Sequence, residues 1–240
     1  PTGNFGNILA GFYAREMGLP VHKLICASNA NNVLTDFIAT GTYDRRRPFY
    51  TTASPSMDIL VSSNLERFLF ALSGDGGEVR GYMESLSKTG AYTVGETVKT
   101  GVRELLWGDF CDDRQTAAAI SRAYQTHGYV CDTHTAVALD VCGRYKAATG
   151  DTRPCVTVST ASPYKFPAAV LSAIDPGIQF SDDFEAARRL SARTDTPVPA
   201  PLSGLDQKTP RFSQVCEKEG MANAVFGALG IGERAPGPAL

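Results

Sequence analysis

Short apolar runs alternate with amphipathic stretches along this chain, and glycines or prolines stand at most of the joints. Residues 5–17 carry apolar positions at helical spacing and stop at Gly18 and Pro20, which predicts a helix. Residues 23–28 (Lys-Leu-Ile-Cys-Ala-Ser) form a short apolar run of the buried-strand type. Asn29 to Asn32 then cap a helix that runs to about Ala39 and ends at Gly41, and residues 49–52 read as a short extended piece. Between Ser62 and Ser73, Leu65, Phe68, Leu69 and Leu72 recur at helical spacing, and a second helix from about Gly77 to Lys88 follows Gly74-Asp75-Gly76. The pattern from Gly95 to Phe110 is mixed and assigns no element. Helices are predicted next from Asp113 or Gln115 to about Thr126, and from Thr133 or Thr135 to about Thr149. Residues 155–159 (Cys-Val-Thr-Val-Ser) read as the clearest strand, and Ser162-Pro163 opens a helix with proline in its first turn.

Strand and helix in alternation predict an α/β fold, with a mostly parallel sheet flanked by helices. After Pro176-Gly177 the composition shifts. Ser181-Asp182-Asp183 caps a short helix, residues 196–201 form a proline-rich connector, residues 211–215 read as a strand, and residues 217–229 read as a last helix. The end, Ala235 to Pro238, is expected to fray. We expect an α/β core over 1–176 and a C-terminal extension over 177–240.

Composition narrows the function classes. Of 240 residues 43% are hydrophobic and 20% charged, as in ordinary globular proteins. The formal net charge of −2 lacks the basic excess of a nucleic-acid surface, and Arg45-Arg46-Arg47, followed by Pro48, reads as a solvated loop. No apolar run is long enough for a membrane span, so neither nucleic acid nor membrane is an expected partner. The six cysteines are scattered, with Cys26 and Cys155 in apolar runs as small core residues, which suits reduced thiols in a cytoplasmic protein. Cys131 and His134 make only half of a metal motif, and no metal is expected.

Four strings carry candidate chemistry. Gly3-Asn4-Phe5-Gly6-Asn7 runs into the first helix, whose leading N–H groups lack partners and carry partial positive charge. Glycines there tolerate positive φ and let main-chain nitrogens approach a ligand closely, so the loop reads either as an anion cradle or as an ordinary glycine turn. Phe5 is an unusual residue for an exposed turn. In residues 55–67, Ser62, Ser63, Asn64 and Arg67 cluster at a helix start, either as caps or as groups converging on an anion. His134 lies in a first helical turn, where the dipole favours neutral imidazole; a packed, satisfied histidine is the other reading. Ser159-Thr160 follows the last predicted strand, at the end where open α/β sheets bind ligands, with Lys165 beyond it; an ordinary hydroxyl cap fits equally.

The string Gly-Asn-Phe-Gly-Asn resembles the cofactor-phosphate loop of fold-type II pyridoxal-phosphate (PLP) enzymes. Together with residues 55–67, His134-Thr135-Ala136-Val137, Ser159-Thr160-Ala161 and Lys165-Phe166, it resembles threonine synthase in particular. The resemblance implies conversion of O-phospho-L-homoserine and water to L-threonine and phosphate. It implies that Gly3, Asn4, Phe5, Gly6 and Asn7 hold the PLP phosphate and that Thr160 faces the pyridine nitrogen. Ser62, Ser63, Asn64, Arg67 and Lys165 become candidates for the substrate's phosphate and carboxylate. The family's Schiff-base lysine precedes the glycine loop, and none of the seven lysines, at 23, 88, 99, 146, 165, 208 and 218, has a matching context. We therefore expect a C-terminal part of a longer enzyme, partnered by its own N-terminal region and inactive alone. Another fold-type II lyase, of the threonine dehydratase or cysteine synthase kind, and an inactive PLP- or phosphate-binding module are the alternatives.

Overall fold

Two strands run parallel at the centre of the α/β core: β1 (Leu24–Ser28) and β4 (Leu106–Phe110), in register from Leu24↔Leu106 to Ser28↔Phe110. The structure is a computed structural model, and residues 1–231 are described. Successive side chains of β1 point to opposite faces, so a continuous apolar run serves two cores. Leu24 and Cys26 face one, with Phe5, Ile8, Leu9, Phe37, Phe68 and Val98; Ile25 and Ala27 face the other, with Met57, Val137 and Val141. α1 (Gly6–Glu16) and α2 (Val33–Thr40) cover the first face, and α7 (Thr133–Thr149) covers the second.

β2 (Thr42–Asp44) and β3 (Ala91–Thr93) form a separate antiparallel pair, where Tyr43 and Tyr92 are directly opposed and their rings stack at 5.3 Å. α3 (Leu65–Ser73), α4 (Gly76–Thr89) and α5 (Glu96–Leu105) complete this side. α6 (Asp113–His127) packs on α7 and on α8 (Pro167–Ile174), and α8 packs on α9 (Asp183–Thr194). Ala186 and Leu190 of α9 are fully buried, so the first compact unit extends from Pro1 to Pro199, past the boundary expected after residue 176. The second unit begins at Ala200 and, among the described residues, carries α10 (Met221–Ala228) and two short 3-10 turns. The expected fraying of Ala235 to Pro238 lies outside the described residues.

Several expected elements change for physical reasons. Residues 155–159 adopt no regular secondary structure; among the described residues no strand pairs with them, and Val156 is 88% exposed. Cys155 is accordingly exposed, not a core residue, with its sulfur 2.7 Å from that of Cys142. Residues 49–52 form no strand because their amides go to side chains: Tyr50 N–H donates to Asn31 Oδ1 and Thr52 N–H to Asp58 Oδ2, both at 2.9 Å. Residues 211–215 are likewise unpaired. After Ser162 only a 3-10 turn, Pro163–Lys165, forms before α8, since Pro167 has no N–H and its ring turns Phe166 out of the helical region, at φ −134° and ψ 56°. The mixed segment 95–110 divides into α5 and β4.

Candidate functional site

Thr2 N–H donates to Ala27 O at 2.9 Å and sets the glycine loop beside the carboxyl end of β1. The positive φ expected of the glycines falls instead on Phe5, at φ 58° and ψ 7°. A left-handed non-glycine residue costs roughly 1–3 kcal/mol and persists only where its surroundings fix it. Here the phenyl ring is fully buried, 5.5 Å from Phe68, and Phe68 in turn meets Phe12 edge-on at 5.0 Å. The phenylalanine that looked misplaced in a turn is the loop's anchor in the core.

Gly3 and Gly6 have different uses. A Cβ at Gly3 would lie 2.9 Å from Ser56 O and 3.2 Å from Met57 Cα, both backbone atoms. At Gly6 it would meet nothing within 4 Å. Gly3 is therefore required by the protein's own backbone, while Gly6 opens onto free space at the start of α1.

The loop's carbonyls are held from the side of α3. Ser62 Oγ donates to Gly3 O at 2.6 Å, and Asn64 Nδ2 donates to Asn4 O at 2.7 Å. Among the described residues, the main-chain N–H groups of Gly3, Asn4, Phe5, Gly6 and Asn7 have no acceptor, and Phe5 offers no side-chain cap. Successive free amides at a helix N-terminus make an anion-binding concavity. Asn64 occupies the cap position of α3 in a left-handed conformation (φ 71°), yet its side chain makes no capping bond. Its amide reaches the loop while its oxygen accepts from the exposed Arg67 guanidinium. Ser62, Asn64 and Arg67 are thus brought to the loop; Ser63 is exposed and makes no hydrogen bond among the described residues.

Behind the loop lies a buried polar layer that sequence reasoning missed. Asp58 Oδ1 accepts from Asn29 Nδ2 (2.7 Å), Asn31 Nδ2 (3.0 Å) and Thr52 Oγ1 (2.7 Å). This network ties the segment 50–58 to the end of β1. Asp132, fully buried, caps α7 by accepting from the N–H groups of His134 (2.8 Å) and Thr135 (3.3 Å). It also faces His134 Nδ1 at 3.0 Å and accepts from Thr135 Oγ1. Burial alone would push the Asp132 carboxyl up, but the bonds from His134 and Thr135 outweigh it and hold it below the usual range. His134 is 2% exposed, and its Nε2 accepts from Ser56 N–H at 3.1 Å. It is the packed, satisfied histidine, with both ring nitrogens engaged by protein groups. Burial pushes the Cys131 and Cys26 thiols up to about 12, which leaves them inert at neutral pH.

Thr160 is exposed and makes no hydrogen bond among the described residues. Its neighbour Ser159 hydrogen-bonds Thr135 Oγ1 at 3.2 Å, which links this segment to the start of α7. Lys165 is exposed with its ammonium 5.3 Å over Phe166, and the Phe166 ring lies tilted against that of His134 at 5.1 Å.

The sequence profile described as "Threonine synthase, C-terminal" matches residues 135–225. The crystal structure of threonine synthase from yeast superposes with a TM-score of 0.82 at 31% identity, covering 96% of this chain and 46% of that one. Over most of its length the chain is similar to threonine synthases. A structure titled PLP-bound threonine synthase from Brucella melitensis matches with a TM-score of 0.74 at 37% identity, over 89% of this chain and 41% of that one. Threonine synthase-like 1 of Homo sapiens is 43% identical over 176 residues, 72% of this chain and 23% of that protein. The chain thus spans about a quarter of the length of that relative and less than half of either solved chain. No helix among the described residues is long and apolar enough to cross a membrane.

Proposed function

We propose that Gly3, Asn4, Phe5, Gly6 and Asn7 hold the phosphate of pyridoxal 5'-phosphate, and that the chain serves the conversion of O-phospho-L-homoserine and water to L-threonine and phosphate. The observation that carries the reading is the run of free amides at the carboxyl end of β1, beside carbonyls turned toward Ser62 and Asn64. The open space at Gly6 lets phosphate oxygens approach the backbone, so the residues present fit the group. Each amide bond to a charged oxygen contributes about 1.5–3 kcal/mol.

PLP supplies an electron sink for charge that develops on the substrate. The Thr160 hydroxyl would offer the ring nitrogen a neutral partner. Arg67 and Lys165 attract the substrate's anionic groups, while Ser62 and Asn64 keep the loop in shape. Lys23 is spent on the carbonyls of Arg103 and Glu104, and Lys88 and Lys99 pair with Glu84 and Glu96. Because none of the seven lysines lies in the sequence context of the family's Schiff-base lysine, these 240 residues alone are expected to bind PLP without covalent attachment and not to turn over substrate.

Equilibrium dialysis of PLP against pyridoxal, which lacks the phosphate, tests the loop; equal affinities would overturn the reading. Borohydride reduction followed by mass measurement tests covalent attachment, with no added mass expected on this chain. Phosphate release from O-phospho-L-homoserine, assayed on the product of the complete coding sequence, tests the reaction. Deamination of threonine instead would point to a different lyase, and PLP binding with no turnover to an inactive binding module.

A further inference from the structure

Ser56 N–H can only donate, so the ring nitrogen it meets, His134 Nε2, carries no proton. The imidazole proton then sits on Nδ1, where Asp132 Oδ1 at 3.0 Å and Thr133 Oγ1 at 3.3 Å face it. The side chain responsible is buried and contributes nothing to the loop directly. Ser56 belongs to the 3-10 turn Pro55–Met57, and its carbonyl oxygen with Met57 Cα forms the wall against which Gly3 rests. Asp132 Oδ2 meanwhile accepts from Thr135 Oγ1, whose single proton is thereby used, so that Ser159, beside Thr160, donates its own hydroxyl to Thr135 Oγ1.

We propose that Asp132 and His134 are positioning residues for the cofactor site. The carboxylate selects the Nδ1–H tautomer, and Nε2 then fixes the 55–57 turn that sets the position of Gly3. The same carboxylate, through Thr135 and Ser159, sets the segment that carries Thr160. One buried acid thus holds both ends of the site at the spacing the cofactor requires. This rests on the cofactor-phosphate reading of the loop, but its first test does not.

Nitrogen NMR of the unliganded 240-residue chain reads the His134 tautomer directly, and hydrogen exchange reads the Ser56 amide. The Nδ1–H tautomer and a protected Ser56 amide are expected; an Nε2–H tautomer or a freely exchanging Ser56 overturns the proposal. Two variants add a contrast that core filling does not produce. The H134Q amide places an oxygen near the position of Nε2, whereas H134N reaches only as far as Nδ1. H134N is expected to speed exchange at Ser56 and to weaken PLP binding about tenfold, the scale of one lost hydrogen bond, with pyridoxal binding unchanged. H134Q is expected to stay within about threefold of the unsubstituted chain for PLP. Equal behaviour of the two variants, or an H134N loss shared by PLP and pyridoxal, overturns the proposal. If the unsubstituted chain prefers PLP no more than pyridoxal, the phosphate reading fails while the tautomer and exchange data still judge the positioning role.

Discussion

Gly3 and Gly6 look interchangeable in the sequence, and the structure separates them. Gly3→Ala drives a Cβ to 2.9 Å from a backbone oxygen, so it is expected to lower stability by about 1–3 kcal/mol, as overpacking does, and to weaken PLP binding as well. Gly6→Ala has room, so its urea midpoint is expected to match the parent while PLP affinity falls about tenfold, the weight of one amide contact. Denaturation and dialysis on both variants check the pair. A Gly6→Ala chain that binds PLP normally removes the close approach from the argument. The glycine loop was legible because its signal is local: small residues, amides and a helix start within five positions. The residue that takes the left-handed conformation was not, because burial of Phe5 against Phe68, across 63 positions, decides it.

At the scale of elements, caps and periodicity were readable and long-range polar pairing was not. Helices α2, α3, α4, α6 and α7 all close on glycines at positive φ; apolar spacing announced α3, and cap or turn residues announced the others. The three-residue strands β2 and β3 were invisible, since their stability lies in the Tyr43–Tyr92 stack and not in a local pattern. The start of α7 is an ordinary Asp cap in sequence; only the fold brings Ser56 to His134 from 78 positions away. That cap has a pH signature. The folded-state pKa of Asp132 lies below its unfolded value near 3.9, so its contribution is complete above about pH 5 and is lost as pH falls through the folded value. Asp132→Asn is expected to cost about 1–3 kcal/mol at neutral pH and to flatten the acid limb of the stability curve. Urea midpoints measured between pH 3 and 7 check it; an unchanged acid slope removes Asp132 from that role.

Across the whole molecule the thiols report which surfaces are closed. Burial raises Cys26 and Cys131 to about 12 and Cys111 to about 11, whereas Cys155 and Cys216 are exposed. Iodoacetamide on the native chain is expected to label Cys155 and Cys216 first, and Cys26, Cys111 and Cys131 only after unfolding, as mapped by peptide mass. Rapid labelling of Cys26 would contradict the two-faced burial of β1. Sequence reading placed Cys155 in the core because β-branched neighbours signal strand preference, and preference says nothing about whether a ladder partner is present.

The bare backbone around Val156 and Val158 has a practical outcome at the bench. Val156 is 88% and Val158 49% exposed on an irregular segment whose unpaired main-chain donors and acceptors, next to β-branched side chains, invite pairing with an extended chain. A solution of this polypeptide is expected to turn cloudy as it is concentrated, and a single lysine gatekeeper, Val156→Lys, is expected to raise the clouding threshold without shifting the urea midpoint. Light scattering across a dilution series decides it, and equal turbidity in the two proteins would exonerate this stretch.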